Sequence, residues 1–180
     1  LRHRLGGVRP GDAGFGEAEI LPPGFDPPGE FRPVPAFDGV PVLHSAQPNT
    51  SFARLLADES RTAAFGAELG EVLHPGLVVY LEGDLGAGKT TLVRALLRGR
   101  GHAGPVKSPT YSLVEVYVIS SLYWYHFDFY RFNHPEEFAD AGLDEYFRSD
   151  SICLVEWPDR AEGFVPPADL VLRLSFSGTG

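Results

Sequence analysis

The sequence predicts an α/β fold: a central, mostly parallel sheet flanked by helices, with one antiparallel strand pair beside it. Three observations predict it. Two continuous apolar runs, "LVVYLE" (77–82) and "ICLVE" (152–156), have strand length and no polar alternation, as expected where both sheet faces are covered. A glycine-rich loop joins the first run to an amphipathic helix. Strand and helix patterns intermix along the chain instead of segregating.

The elements follow in order. Residues 1–48 hold nine of the 16 prolines and eight of the 21 glycines. "ILPPGFDPPGEFRPVPAFDG" (20–39) cannot run as helix or regular sheet, because proline removes backbone donors and glycine raises the entropy cost of ordering. Residues 1–48 as a whole read as a flexible tail. The alternative is a docking arm, with Phe25, Phe31 and Phe37 as spaced apolar anchors. The domain itself is assigned to residues 49–180. "FARLL" suits a short strand, and Asp58 or Ser60 caps a following helix. That helix presents Phe65, Leu69, Val72 and Leu73 on one face and ends at "HPG". After the glycine loop, "TTLVRALLRGRG" reads as a helix closed by Gly99 or Gly101. "YSLVEVYV" and "LYWYHFDF" read as paired strands about an "ISS" turn. "NHPEEFADAG" gives a short helix capped by Asn133, and "LVLRLSF" alternates like a half-exposed strand.

Bulk composition narrows the function. The chain has 180 residues, 43% of them hydrophobic, enough for one substantial core. Acidic residues outnumber basic ones 24 to 15, and a net charge of −9 argues against sequence-blind binding to nucleic acid or anionic membrane. The single cysteine, Cys153, excludes an internal disulfide and fits a reducing compartment. No apolar run reaches membrane-spanning length and no signal core opens the chain, so a cytoplasmic protein with no membrane partner is expected. The absence of methionine, with Leu1 first, marks the sequence as a fragment or trimmed product.

Chemistry concentrates at "GDLGAGKTT". Gly83, Gly88, Lys89 and Thr90 satisfy G-x-x-x-x-G-K-[ST], with Gly86 as an extra glycine. Backbone N–H groups from Asp84, Leu85, Gly86, Ala87 and Gly88 onward can curl around a phosphate, at the positive end of the helix that carries Thr91. Lys89 reaches β- and γ-phosphates, and the Thr90 hydroxyl suits Mg²⁺. A P-loop NTPase-like fold with a nucleoside phosphate and Mg²⁺ as ligands is expected. An acid at the end of another buried strand should complete the metal side, and Glu156 has that placement; a surface carboxylate is the bland alternative. Asp128 in "HFDFYR" serves either the metal or the attacking water, or else simply forms a turn. His126 and His134 lack partners at zinc-like spacing and are assigned structural roles. Cys153, inside an apolar strand, reads as a small core residue.

"GDLGAGKTTLVRALL", "VKSPTYSLVEVY", "YHFDFYR" and "ICLVEWPDR" together resemble the TsaE (formerly YjeE) family over about residues 51–176. The resemblance implies an ATPase, slow alone and partner-coupled, that acts with TsaD and TsaB. Together they make the threonylcarbamoyl modification on adenosine beside the tRNA anticodon, and tRNA is met only through the complex. It also implies that Thr90 and Glu156 hold Mg²⁺ and that Thr62 lies near nucleotide. Ser108, Thr110 and Tyr111 would form a switch loop, Asp128 would assist hydrolysis and Trp157 would flank the site. Three departures stand out: the added N-terminal stretch, Ser120 and Ser121 where the family turn carries glycine, and an end at Gly180 that predicts a truncated last strand. A small-molecule kinase is the rival reading, but it needs a lid with several arginines and only Arg131, Arg148 and Arg160 are scattered here. The guanine-reading Asn-Lys-x-Asp of a GTPase is absent.

Overall fold

The computed structural model describes residues 17–21 and 51–176. Seven strands form one sheet: β1 (Glu17–Leu21), β2 (Phe52–Leu55), β3 (Val78–Glu82), β4 (Val114–Ile119), β5 (Leu122–Asp128), β6 (Ser151–Glu156) and β7 (Leu170–Ser175). Their spatial order is β2-β1-β7-β3-β6-β5-β4. The four central strands, β7, β3, β6 and β5, run parallel, while β4 pairs antiparallel with β5 and β1 pairs antiparallel with both β7 and β2. Parallel strands leave their carboxyl ends on one edge of the sheet, where a ligand can sit beyond them.

Two helices, α1 (Glu59–Val72) and α2 (Lys89–Gly99), cover one face. Asp58 caps α1, its side chain accepting from the Arg61 N–H at 2.7 Å. The buried stripe of α1 runs Thr62, Phe65, Gly66, Leu69, Gly70. Val72, expected on that face, is exposed. The stripe bends toward the small residues because α1 and α2 touch backbone to backbone. A Cβ on Gly66 would collide with Ala95, and one on Gly99 with Ala67. Gly99 therefore serves packing, and the helix stop falls at Gly101 (φ +99°). Its N–H donates to the Arg98 carbonyl, and the next N–H, of His102, donates to Leu97. This is the double bond of a Schellman ending.

The opposite face is covered by the helical turn α3 (Glu137–Asp140), two 3-10 turns and an aromatic cluster of Phe127, Phe129, Phe132 and Phe138. Asn133 does not cap α3 with its side chain. The cap runs the other way: the Glu137 carboxylate accepts from the N–H groups of Asn133 and His134, which holds its pKa below the usual range. The β4–β5 turn is Ser120–Ser121, both left-handed (φ +50° and +68°) with no glycine to relieve them. Cys153 is buried in β6 and its thiol is pushed up to about 12 by burial, which makes it a core residue and not a nucleophile.

Strand β1 lies within residues 1–48, expected to be a flexible tail, and its last two residues, Ile20 and Leu21, fall in the stretch 20–39 expected to form no regular sheet. It stops at Leu21, directly before Pro22 and Pro23, so proline sets the strand's end without forbidding the strand. Its partners are remote in sequence, with Glu17 opposite Ser175 and Leu55. Phe25, Phe31 and Phe37 lie outside the described residues. Strand β7 is therefore an interior strand, and Val171, Leu172 and Leu174 are all buried, more than a half-exposed strand would bury. No helix among the described residues is long and apolar enough to cross a membrane.

Candidate nucleotide-binding site

Strand β3 delivers the chain at Glu82 into the loop 83–88, and α2 begins at Lys89. Gly83 has φ +133°, and a Cβ there would strike the Leu174 carbonyl oxygen of β7, so only glycine fits. Gly86 and Gly88 also have positive φ. Between them the loop closes through an Ala87 N–H bond to the Asp84 carbonyl at 3.1 Å, with Ala87 buried and Asp84, Leu85 and Gly86 exposed. The result is a strand–loop–helix unit whose exposed rim sits at the N-terminus of α2, where unpaired N–H groups and the helix dipole favour an anion.

Lys89 is buried at 4% exposure, and its Nζ donates to the carbonyls of Gly83 (2.6 Å) and Asp84 (2.9 Å). The ammonium also lies 3.9 Å from the centroid of the Trp157 ring. Burial pulls the Lys89 pKa down, while Glu156, Asp128, Asp84 and Asp159 act against that pull. A phosphate placed on the loop would supply the countercharge that burial denies it. Trp157 follows β6 in a left-handed conformation (φ +59°). This turn throws the indole over the loop, with Tyr130 packed against it at 5.1 Å between ring centroids. Leu81, Glu82, Gly83, Asp84, Trp157 and Asp159 line a cleft of about 330 Å³ beside the loop.

Two carboxylates end adjacent strands in register: Asp128 of β5 pairs with Glu156 of β6, which also pairs with Leu81 of β3. Both are buried. Glu156 Oε1 accepts from the Thr90 hydroxyl at 2.8 Å and meets His126 Nε2 at 2.8 Å. Asp128 Oδ2 accepts from the hydroxyls of Ser108 and of Thr110, the latter at 2.7 Å, while Oδ1 takes the Tyr130 N–H at 2.9 Å. The Ser108 and Thr110 oxygens lie 2.7 Å apart, so two hydroxyl protons are shared among three close oxygens and the segment 108–110 is laced to one carboxylate.

The structure thus gathers Lys89, Thr90, Ser108, Thr110, Asp128, Glu156 and Trp157 at one edge of the sheet. Thr91 sits one residue further along α2, half-buried. Tyr111 points outward, 84% exposed, under the Arg131 guanidinium at 4.0 Å. Thr62 lies within the first turn of α1, and its hydroxyl donates to the Asp58 carbonyl at 3.1 Å. Its described hydrogen bonds do not reach the phosphate loop. His126, assigned a purely structural role from sequence, contacts Glu156 directly. The usable signal was spacing: His126 and Asp128 are two apart on a strand and so share a face.

The donor set fits Mg²⁺. Among the described residues no three His, Cys, Asp or Glu side chains form an all-protein cage. Magnesium does not want one; in phosphate loops it takes one or two protein oxygens, phosphates and water. Thr90 and Glu156 are placed for that.

The family model for "Threonylcarbamoyl adenosine biosynthesis protein TsaE" matches residues 56–179. A Haemophilus influenzae protein described as "tRNA threonylcarbamoyladenosine biosynthesis protein TsaE" is 46% identical over 131 residues, covering 70% of this chain and 83% of its own length. A Bacillus subtilis protein with the same description is 42% identical over 104 residues, 58% of this chain and 65% of its own. The crystal structure of Bacillus subtilis YdiB superposes with a TM-score of 0.57 at 34% identity, over 68% of this chain and 74% of that one. With the phosphate loop, the paired strand-end acids and this match over most of its length, the chain belongs to the TsaE family, whose role is in tRNA threonylcarbamoyladenosine biosynthesis.

Proposed function

We propose that the chain binds ATP with Mg²⁺ and hydrolyses it, and that turnover resets an assembly with TsaD and TsaB during threonylcarbamoyl transfer to tRNA. The observation that carries the reading is the 2.8 Å bond between Thr90 Oγ1 and Glu156 Oε1. It joins two separately encoded pieces, the phosphate loop and the β6 acid, into one metal-facing pair.

The chain's residues then divide the work. Loop N–H groups and the dipole of α2 hold the phosphates, and Lys89 leaves its loop carbonyls to meet them. Thr90 would offer a hydroxyl lone pair to the metal while its proton remains hydrogen-bonded to Glu156. When bound, Mg²⁺ would neutralise charge on the phosphate oxygens. Asp128 orients a water for attack on the γ-phosphorus; the bond to the bridging oxygen breaks, leaving ADP and inorganic phosphate. Phosphoryl transfer rests on positioning and charge control, which these fixed groups supply.

Lys89→Ala tests this. The substitution is expected to lower ATP turnover at least a hundredfold, on the order expected for a lost transition-state charge contact, while the protein still folds by circular dichroism. Wild-type turnover in that variant would refute the site. Phosphate release without any acceptor separates hydrolysis from a kinase, and co-purification with TsaD and TsaB, with and without ATP, tests the assembly.

A further inference from the structure

We infer that His126 is a positioning residue for the metal-side acid: it holds the Glu156 carboxylate in place from β5. His126 is fully buried, with no exposed surface. Its Nε2 lies 2.8 Å from Glu156 Oε1, the oxygen that also accepts from Thr90 at 2.8 Å. Oε1 is thus anchored from the β5 strand and from α2 together, which stops the carboxylate rotating. Oε2 has no protein hydrogen bond among the described residues and stays open for the metal or its water. A carboxylate brings no proton, so Nε2 is the donor, and Nδ1, buried in the core, has no hydrogen-bond partner among the described residues. An imidazole with an orphaned nitrogen is a poor core residue compared with an aliphatic or phenyl side chain of similar volume. Among the described residues its one polar contact is to Glu156, and that contact is the service it performs. Partners behind a ligand fix its orientation and tune its metal affinity, commonly by about 10–100-fold.

The inference rests on the Mg²⁺–nucleotide reading above, and the experiment separates the two. His126→Phe keeps ring volume without a donor, and His126→Gln keeps an amide donor. Measurements are Mn²⁺ affinity by electron paramagnetic resonance in the presence of ADP, and ADP affinity with and without Mg²⁺, on the full chain. His126→Phe should weaken Mn²⁺ binding by roughly 10–100-fold and leave Mg²⁺-free ADP affinity unchanged, with His126→Gln recovering most of the loss. Unchanged Mn²⁺ affinity in His126→Phe overturns the role. So does equal loss in both variants accompanied by loss of Mg²⁺-free ADP binding, which is the mark of packing alone. Should the variants not fold, wild-type protein labelled with ¹⁵N-histidine decides. Its Nε2–H resonance should shift on adding Mg²⁺ to the ADP complex, and a resonance indifferent to Mg²⁺ overturns the role. Wild-type protein whose ADP affinity ignores Mg²⁺ and which binds no Mn²⁺ refutes the metal reading itself.

Discussion

Asp128 and Glu156 are neighbours in register at the same edge of the sheet, both buried, yet their surroundings divide cleanly. Glu156 is held by groups on rigid elements, Thr90 on α2 and His126 on β5. Asp128 is held by Ser108 and Thr110 from an irregular segment, with only the Tyr130 N–H close by in the chain. An acid clamped by helix and strand suits a fixed metal position. An acid whose partners sit on a loop can be released when that loop moves. On the proposed reading, the same carboxylate chemistry serves as a static group in one case and a switchable one in the other.

Three substitutions press on that contrast. Glu156→Gln should have the largest effect: it removes the charge facing the metal, so the Mg²⁺-dependent gain in ADP affinity is expected to vanish. Single-turnover hydrolysis should fall by about a thousandfold, on the scale of a lost electrostatic contact at the reacting phosphate. Asp128→Asn should leave the Mg²⁺ effect on binding intact and lower single-turnover hydrolysis by about a hundredfold, as for loss of a general base. If Asp128→Asn abolishes the Mg²⁺ effect while Glu156→Gln preserves it, the two roles are reversed. Thr110→Val should act least. It removes one of the hydroxyls on Asp128 and leaves the other, and a hydrogen bond to a charged group is worth about 1.5 kcal/mol at the low end, so hydrolysis should drop roughly tenfold with metal-dependent binding untouched. An effect of Thr110→Val on Mn²⁺ affinity would erase the division between the two acids.

Much of this architecture was legible in the sequence because it is locally encoded. The phosphate loop, the flanking strand and helix, and the β4–β5 hairpin each announce themselves within a dozen residues. Glu156 could be singled out because an apolar run of strand length ends on it. Other features depend on distant partners. Strand β1 pairs with β7 across some 150 residues, from Glu17 to Ser175, and no local pattern encodes that meeting. Val72 looked like a core position by its chemistry, but the glycine–alanine contacts between α1 and α2 turned the helix elsewhere. Zinc-like spacing along the chain does not reveal the contact His126 makes. The relevant relation was between strands, with Leu154 opposite His126 and Glu156 diagonally next to it.

The carbonyl of Leu174 that backs Gly83 belongs to the last strand of the sheet, more than ninety positions downstream. Chains are synthesised from the N-terminus, and contacts between distant residues form slowly because the intervening loop must close first. A nascent chain that has emitted β3, the loop 83–88 and α2 still lacks the segment 108–110, the acids of β5 and β6, Trp157 and the wall behind Gly83. The loop 83–88 therefore gains its backing only once β7 has been made and has docked between β3 and β1. Until then, the glycine that tolerates that wall has nothing to lean on.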